Sequence, residues 1–361
     1  MIYNNDLIAN LKNYVGVFIS VYMNTPIDSN IKGFLKKVGS TTITVTNYNN
    51  TMIIDSQDIV YVDVLTAAFV PNLADNTVSV INTTTNEVTS LIKVGIKPTT
   101  LAIRADNMTA YINNSGDRNV SVINLSNNSL ITNINVGPSP QGIAITPNGF
   151  KVYVANTSYP DGGTVSVIDT TSNTVIKTIT VGETPIGIAI TPDGKYAYVT
   201  NNRVSTISVI DIMRDEVIET ISDVSTPRGI AITPNGRYAY VVNERTNQVS
   251  KISIQTNTVI SQIDGVGIDP RQLIISSNGI YAYVISSQSN SLSVINLPTN
   301  SVIKTITVGN NPSGIDIAKN GVLIYVTSWN DNTVTIINSV SYAVVKTIAV
   351  GNSPYSITVA P

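Results

Sequence analysis

Few residues in this 361-residue chain are able to do chemistry, and the absences narrow the field as much as the candidates do. There is no His and no Cys, which removes the commonest general base, the commonest transition-metal ligand, thiolate nucleophiles and disulfides together. Trp329 is the only Trp and lies beside Asn330 and Asp331. An exposed indole there stacks on a sugar or anchors a partner, or else covers a groove between neighbouring elements. Tyr159, in a long polar stretch, offers the same chemistry more weakly. Arg228 and Arg271 each follow a proline, in TPRG and DPRQ. Two adjacent guanidinium groups clamp a carboxylate bidentately, or are neutralised by Glu183, Asp269 or Glu244. Asp316 is the one acid at a recurring position held elsewhere by Ala102, Ala144, Ala189, Ala231, Ile274 and Thr358. A buried acid needs a partner or water, and one carboxylate falls far short of the about six oxygens that a Ca²⁺ ion takes. Isolated Ser and Thr are abundant, but no His or Lys stands ready to activate one. The expectation is no catalytic residue, no metal ligand set and no cofactor.

The elements that carry these residues recur. The phrase V-G-x-x-P appears at Val94, Val136, Val181, Val266, Val308 and Val350, with the variant Val224-Ser225-Thr226-Pro227 in the remaining slot. The seven prolines, 98, 140, 185, 227, 270, 312 and 354, are 42 to 45 residues apart, the period of a four-stranded blade. Each period reads as an inner strand (GIAITP), a tight turn (PDGK), a strand ending in YVTN, a polar loop, a third strand (VSVID), an Asn-containing turn and a fourth strand (VIKTITVG). The YVTN position is filled by residues 69–72, 111–114, 153–156, 198–201, 240–243, 283–286 and 325–328. These seven copies resemble the YVTN family of β-propeller repeats over nearly the whole of residues 66–361. The resemblance implies an all-β, seven-bladed propeller. Residues 356–361 align with an inner strand, and residues 67 onward align with a second strand. The two partial blades therefore complete each other, and the C-terminal strand closes the ring and removes its open edges.

Residues 1–65 lie outside the repeat. Residues 6–14 have the spacing of one short amphipathic helix. Residues 17–22, 31–38, 42–46, 52–55 and 59–62 read as five short strands. The pattern LxNYxG, GxLxxVG and II…DIxxV resembles Sm-like, SH3-type small barrels found in proteins of spore-forming bacteria. Such barrels assemble into rings, and some bind RNA, but this segment is net negative and is a poor phosphate binder. The barrel is expected on the lower face of the propeller, the face of the first-to-second-strand turns. The loops after YVTN, where the copies differ most, then remain free on the upper face.

Composition bounds the rest. Only 12% of residues are charged and the net charge is −2, so no electrostatic funnel toward nucleic acid is expected. No run of about 18 apolar residues occurs and the N-terminus has no basic flank, so neither a spanning helix nor a signal peptide is expected. The leading functional expectation is a non-enzymatic structural or interaction protein. In it the barrel mediates docking or homo-oligomeric assembly, and the resemblance suggests a spore-coat or surface setting. One alternative is a carbohydrate- or peptide-binding module on the upper face. Another is a metal-dependent enzyme like propeller lactonases or lyases, of which the lactonases gather channel acids around a metal and the lyases rely on His.

Overall fold

A computed structural model describes residues 67–104, 108–158 and 162–360, preceded by the six strands of residues 2–64 named below. Seven four-stranded antiparallel sheets follow one another as blades. Blades 1 to 6 begin at Pro98, Pro140, Pro185, Pro227, Pro270 and Pro312, each of which opens an inner strand. Blade 7 is composite. Its inner strand is Thr358–Val359, which pairs with Ala67–Asn72 through Thr358↔Phe69 and Val359↔Ala68. Thr77–Asn82 and Glu87–Lys93 complete it. The expected closure is therefore what forms.

Burial follows from position in the blade. Second and third strands, such as Tyr196–Asn201 and Thr206–Asp211, are buried on both faces because each is sandwiched between neighbouring blades. They read accordingly as near-continuous Val, Ile, Ala and Tyr. Fourth strands form the outer edge and are mostly exposed, with one buried Ile near the end, as at Ile179, Ile221 and Ile263. Inner strands crowd the axis. A Cβ on Gly187 would lie 2.3 Å from the carbonyl oxygen of Arg228 on the next blade, so the close approach of adjacent backbones there requires glycine.

In the first three blades the YVTN tyrosine ties one blade to the next. Tyr111 donates its hydroxyl to Asn173 Oδ1 at 3.0 Å, Tyr153 to Asp215, and Tyr198 to Asn257. Each acceptor lies in the turn between third and fourth strands and has φ of 52–54°, a left-handed conformation that Asn and Asp tolerate. The pair at the equivalent place between blades 6 and 7, Tyr325 and Asn86, makes no such bond. The Tyr325 hydroxyl and Asn86 Oδ1 are both buried without a partner. Burial pushes the Tyr325 phenol up to about 12.

Before the propeller, strands Ile2–Tyr3, Phe18–Met23, Asn30–Val38, Thr42–Thr46, Thr51–Asp55 and Ile59–Val64 form one antiparallel sheet. Five of them coincide within about two residues with the strands read from the sequence. Ile19, Val21, Ile43, Val45 and Ile54 are buried. The helix expected over residues 6–14 lies outside the described residues. Among the described residues there is no helix long and apolar enough to cross a membrane.

Candidate functional site

The upper mouth of the channel is built by the V-G-x-x-P connections. The residue before each proline has φ between 43° and 57°, from Lys97 through Ser353. The proline then fixes its own φ. This sharp reversal delivers the following residue, Thr99, Gln141, Ile186, Arg228, Arg271, Ser313 or Tyr355, to the start of an inner strand. Only the side chains differ from blade to blade. Behind them is a cavity of about 370 Å³, lined among others by Arg228, Arg271, Gln272, Ser313, Trp329 and Tyr355. That size suits a small organic ligand.

The two arginines are held differently. Arg271 presents Nε and Nη2 to Asp269 Oδ2 at 3.1 and 2.7 Å, and Nε also donates to Ser287 Oγ at 3.2 Å. Arg228 donates only from Nη1, to Glu244 Oε2 at 3.2 Å, and its buried Nε has no acceptor. Glu244 also accepts from Asn202 at 3.3 Å, and Thr200 Oγ1 donates to the carbonyl of Arg228 at 2.6 Å. Burial alone would raise the Asp269 carboxyl. The Ser287 and Arg271 hydrogen bonds, with the charges of Arg271 and Arg228, outweigh burial and hold it below the usual carboxylate range.

The part of the mouth formed by blades 6 and 7 is aromatic. Trp329, the half-buried indole, meets the Tyr355 ring edge-on at 5.7 Å between centroids and 67°. Its backbone amide donates to the Asn311 carbonyl at 3.0 Å. The Tyr355 hydroxyl donates to Gln141 Oε1 at 2.9 Å. Tyr355 belongs to blade 7 and Gln141 to blade 2, so this bond bars the mouth in front of blade 1.

Of the six residues singled out in the sequence, three meet here: Arg228, Arg271 and Trp329. Asp331 does not join them. Its Oδ2 accepts the Asn310 amide at 2.7 Å and fastens the connection into blade 6. Asp75 and Asp117 do the same for Asn352 and Ile96, at 2.7 and 2.6 Å. Asp316 sits on the inner strand of blade 6. Its Oδ2 accepts the Val359 amide at 2.7 Å and its Oδ1 the Ile317 amide at 2.8 Å. Burial raises this carboxyl to about 6 against the lowering effect of those two amides. Tyr159 lies outside the described residues. Sequence reasoning undervalued Tyr355, Gln141 and Gln272, although each departs from the repeat at a rim or inner-strand position.

The cavity places this geometry beside known proteins. Residues 170–265 match the model of Lactonase, a 7-bladed β-propeller, and residues 281–360 match that of the YNCE-like β-propeller. The chain is a seven-bladed β-propeller. Similar solved structures include hydrazine synthase of Kuenenia stuttgartiensis, 22% identical with a TM-score of 0.70, covering 75% of this chain and 92% of that one. A protein of Bacteroides uniformis assigned as a 6-phosphogluconolactonase is 19% identical, TM-score 0.68, over 82% of this chain and 99% of that one. The dihydro-heme d1 dehydrogenase NirN, in complex with DHE, is 13% identical, TM-score 0.63, over 81% and 75%. No curated protein sequence matches the chain.

These findings correct the leading functional expectation. A purely structural, non-enzymatic protein is overturned by the match of residues 170–265 to the Lactonase model. They favour an enzyme-like or ligand-binding propeller. The inference from absent His failed for a physical reason: it removes one class of base, whereas recognition at a rim of Arg, Gln and aromatic side chains needs none. The spore, surface and oligomer associations gain no support. A metal of the kind that propeller lactonases hold does not fit here. Among the described residues no three His, Cys, Asp or Glu converge, and both oxygens of Asp316 already accept backbone amides.

Proposed function

We propose that this protein is an enzyme-like ligand-binding propeller whose ligand enters the upper mouth of the channel, lined by Arg228 and Arg271 and by Trp329 and Tyr355. One observation carries the reading: a cavity floored by the repeated Gly-Ile pairs of the inner strands is rimmed by side chains that differ from blade to blade, Ile186, Arg228, Arg271, Ser313 and Tyr355, with Trp329 beside them. Rigid scaffolds with variable rims are where binding residues concentrate. The Lactonase match makes ring-opening of lactones the first reaction to assay. The test uses Trp329, the only Trp in the chain, as the reporter. Titration with a panel of sugar and acyl lactones, read by indole fluorescence and proton release, is expected to give saturable responses that Trp329→Phe silences optically and Arg228→Ala weakens. A panel-wide absence of both signals would refute the proposal. We also read residues 1–65 as a unit apart from the propeller, because their strands pair only with one another. The resemblance to Sm-like barrels applies to that unit. Limited proteolysis releasing an intact propeller would support the division.

A further inference from the structure

We infer that the mouth selects a ring-bearing monocarboxylate, gripped by Arg228 and stacked on Trp329; this rests on the proposed site and names its ligand class. Arg228 and Arg271 differ in what they have left to give. The Nε and Nη2 edge of Arg271 is consumed by Asp269, with Ser287 behind it. Arg228 uses one of its about five N–H donors, from Nη1 to Glu244 at 3.2 Å, and its side chain lines the cavity. A carboxylate supplies the two coplanar oxygens that the Nη1–Nη2 edge of such a group pairs with, whereas the buried Nε lies out of a ligand's reach.

The charge balance of the mouth sets the anion. Two guanidinium groups face two carboxylates, Glu244 and Asp269. No excess positive field remains to hold a dianion, so a phosphate monoester is disfavoured relative to a carboxylate. Attraction is then short-range and directional, and it responds weakly to salt. The ring requirement comes from the other wall. Trp329 is edge-on to Tyr355, and Tyr355 is anchored through its hydroxyl to Gln141. The indole is therefore held in place and offers a flat surface without further ordering cost. Apolar Ile186 and Ile230 line the cavity on the side of Arg228. An aromatic acid and a cyclic sugar acid share this chemistry, so both serve as probes.

The experiment titrates the full chain with benzoate, glucuronate, benzamide and phenyl phosphate at pH 8, following Trp329 fluorescence. Saturable binding of benzoate, glucuronate or both is expected, at least about tenfold tighter than benzamide or phenyl phosphate. Arg228→Lys keeps the charge but not the fork and should lose most of that margin. Arg271→Lys should lose less, and Glu244→Gln, which removes the negative charge competing for Nη1, should tighten the carboxylate several-fold. Thermal melts check that each variant folds. Equal binding of benzamide or phenyl phosphate, or carboxylate binding indifferent to Arg228→Lys, overturns the inference while leaving the site intact. If none of the four perturbs Trp329 but a lactone does, the ligand class is wrong and the site stands. Silence toward both sets overturns both.

Discussion

Removing one hydroxyl at two equivalent tyrosines should have opposite consequences. Tyr198→Phe deletes a donor whose acceptor, Asn257 Oδ1, is then left without it between blades 3 and 4. A buried hydrogen bond of this kind contributes about 1 kcal/mol, and orphaning the acceptor adds desolvation cost, so the expected loss is about 1–2 kcal/mol. Tyr325→Phe deletes a hydroxyl that is already buried without a partner. There the same change removes a penalty, and stability should be unaltered or rise by up to about 1 kcal/mol. Urea unfolding followed by circular dichroism, with wild type, both single variants and the double variant, measures the contrast. The sites are several blades apart, so the double variant should be additive within about 0.5 kcal/mol. Equal destabilisation by the two single variants would refute the reasoning, because it would mean that the hydroxyl at the closing seam is bonded after all.

Other outcomes follow from the same geometry. Burial raises the folded Asp316 carboxyl from its ordinary 3.8 to about 6, so this group's neutral form is favoured in the fold and stability is lost as pH rises through that interval, by up to about 3 kcal/mol. Asp316→Asn should remove that part of the pH dependence, seen as a flat variant profile between pH 4 and 8 where the wild-type melts fall, with a constant offset because Asn can accept only one of the two amides; parallel profiles would contradict it. Thr184 is β-branched at φ 55°, and Thr184→Asn, matching Asn311 in blade 6, should raise stability by about 1 kcal/mol in the same urea assay. Gly187→Ala drives a Cβ to 2.3 Å from the Arg228 carbonyl; about 3 kcal/mol of destabilisation and weakened ligand binding through displaced Arg228 are expected, measurable by melting and by the Trp329 titration.

The propeller was legible because its information is periodic. Prolines 42 to 45 residues apart, and a C-terminal half-blade matching the one that starts at Ala67, leave one way to close the ring. The site was legible only in part. Arg228, Arg271 and Trp329 stand out by type, but whether a guanidinium is spent or open depends on partners at Asp269 and Glu244 whose geometry no spacing reveals. The scaffold contact of Asp331 was legible. Asp75, Asp117 and Asp331 each fall three residues after the last YVTN residue, Asn72, Asn114 and Ser328, and a recurrent residue is scaffold before it is site. The tyrosine hydroxyls could not be paired from sequence, since their acceptors lie 59 to 62 residues away in the next blade.

Tyr355 and the closing strand Thr358–Val359 belong to one short segment. Its Ser356 hydroxyl donates to the Thr99 carbonyl and its Thr358 hydroxyl to that of Leu101, at 2.8 and 3.1 Å. Whatever detaches that segment also dismantles one wall of the mouth. Occupancy and ring integrity are therefore thermodynamically linked: a ligand present at about a hundred times its Kd would protect the seam by about 2.7 kcal/mol. The molecule's grip on its ligand doubles as a latch on its own circumference.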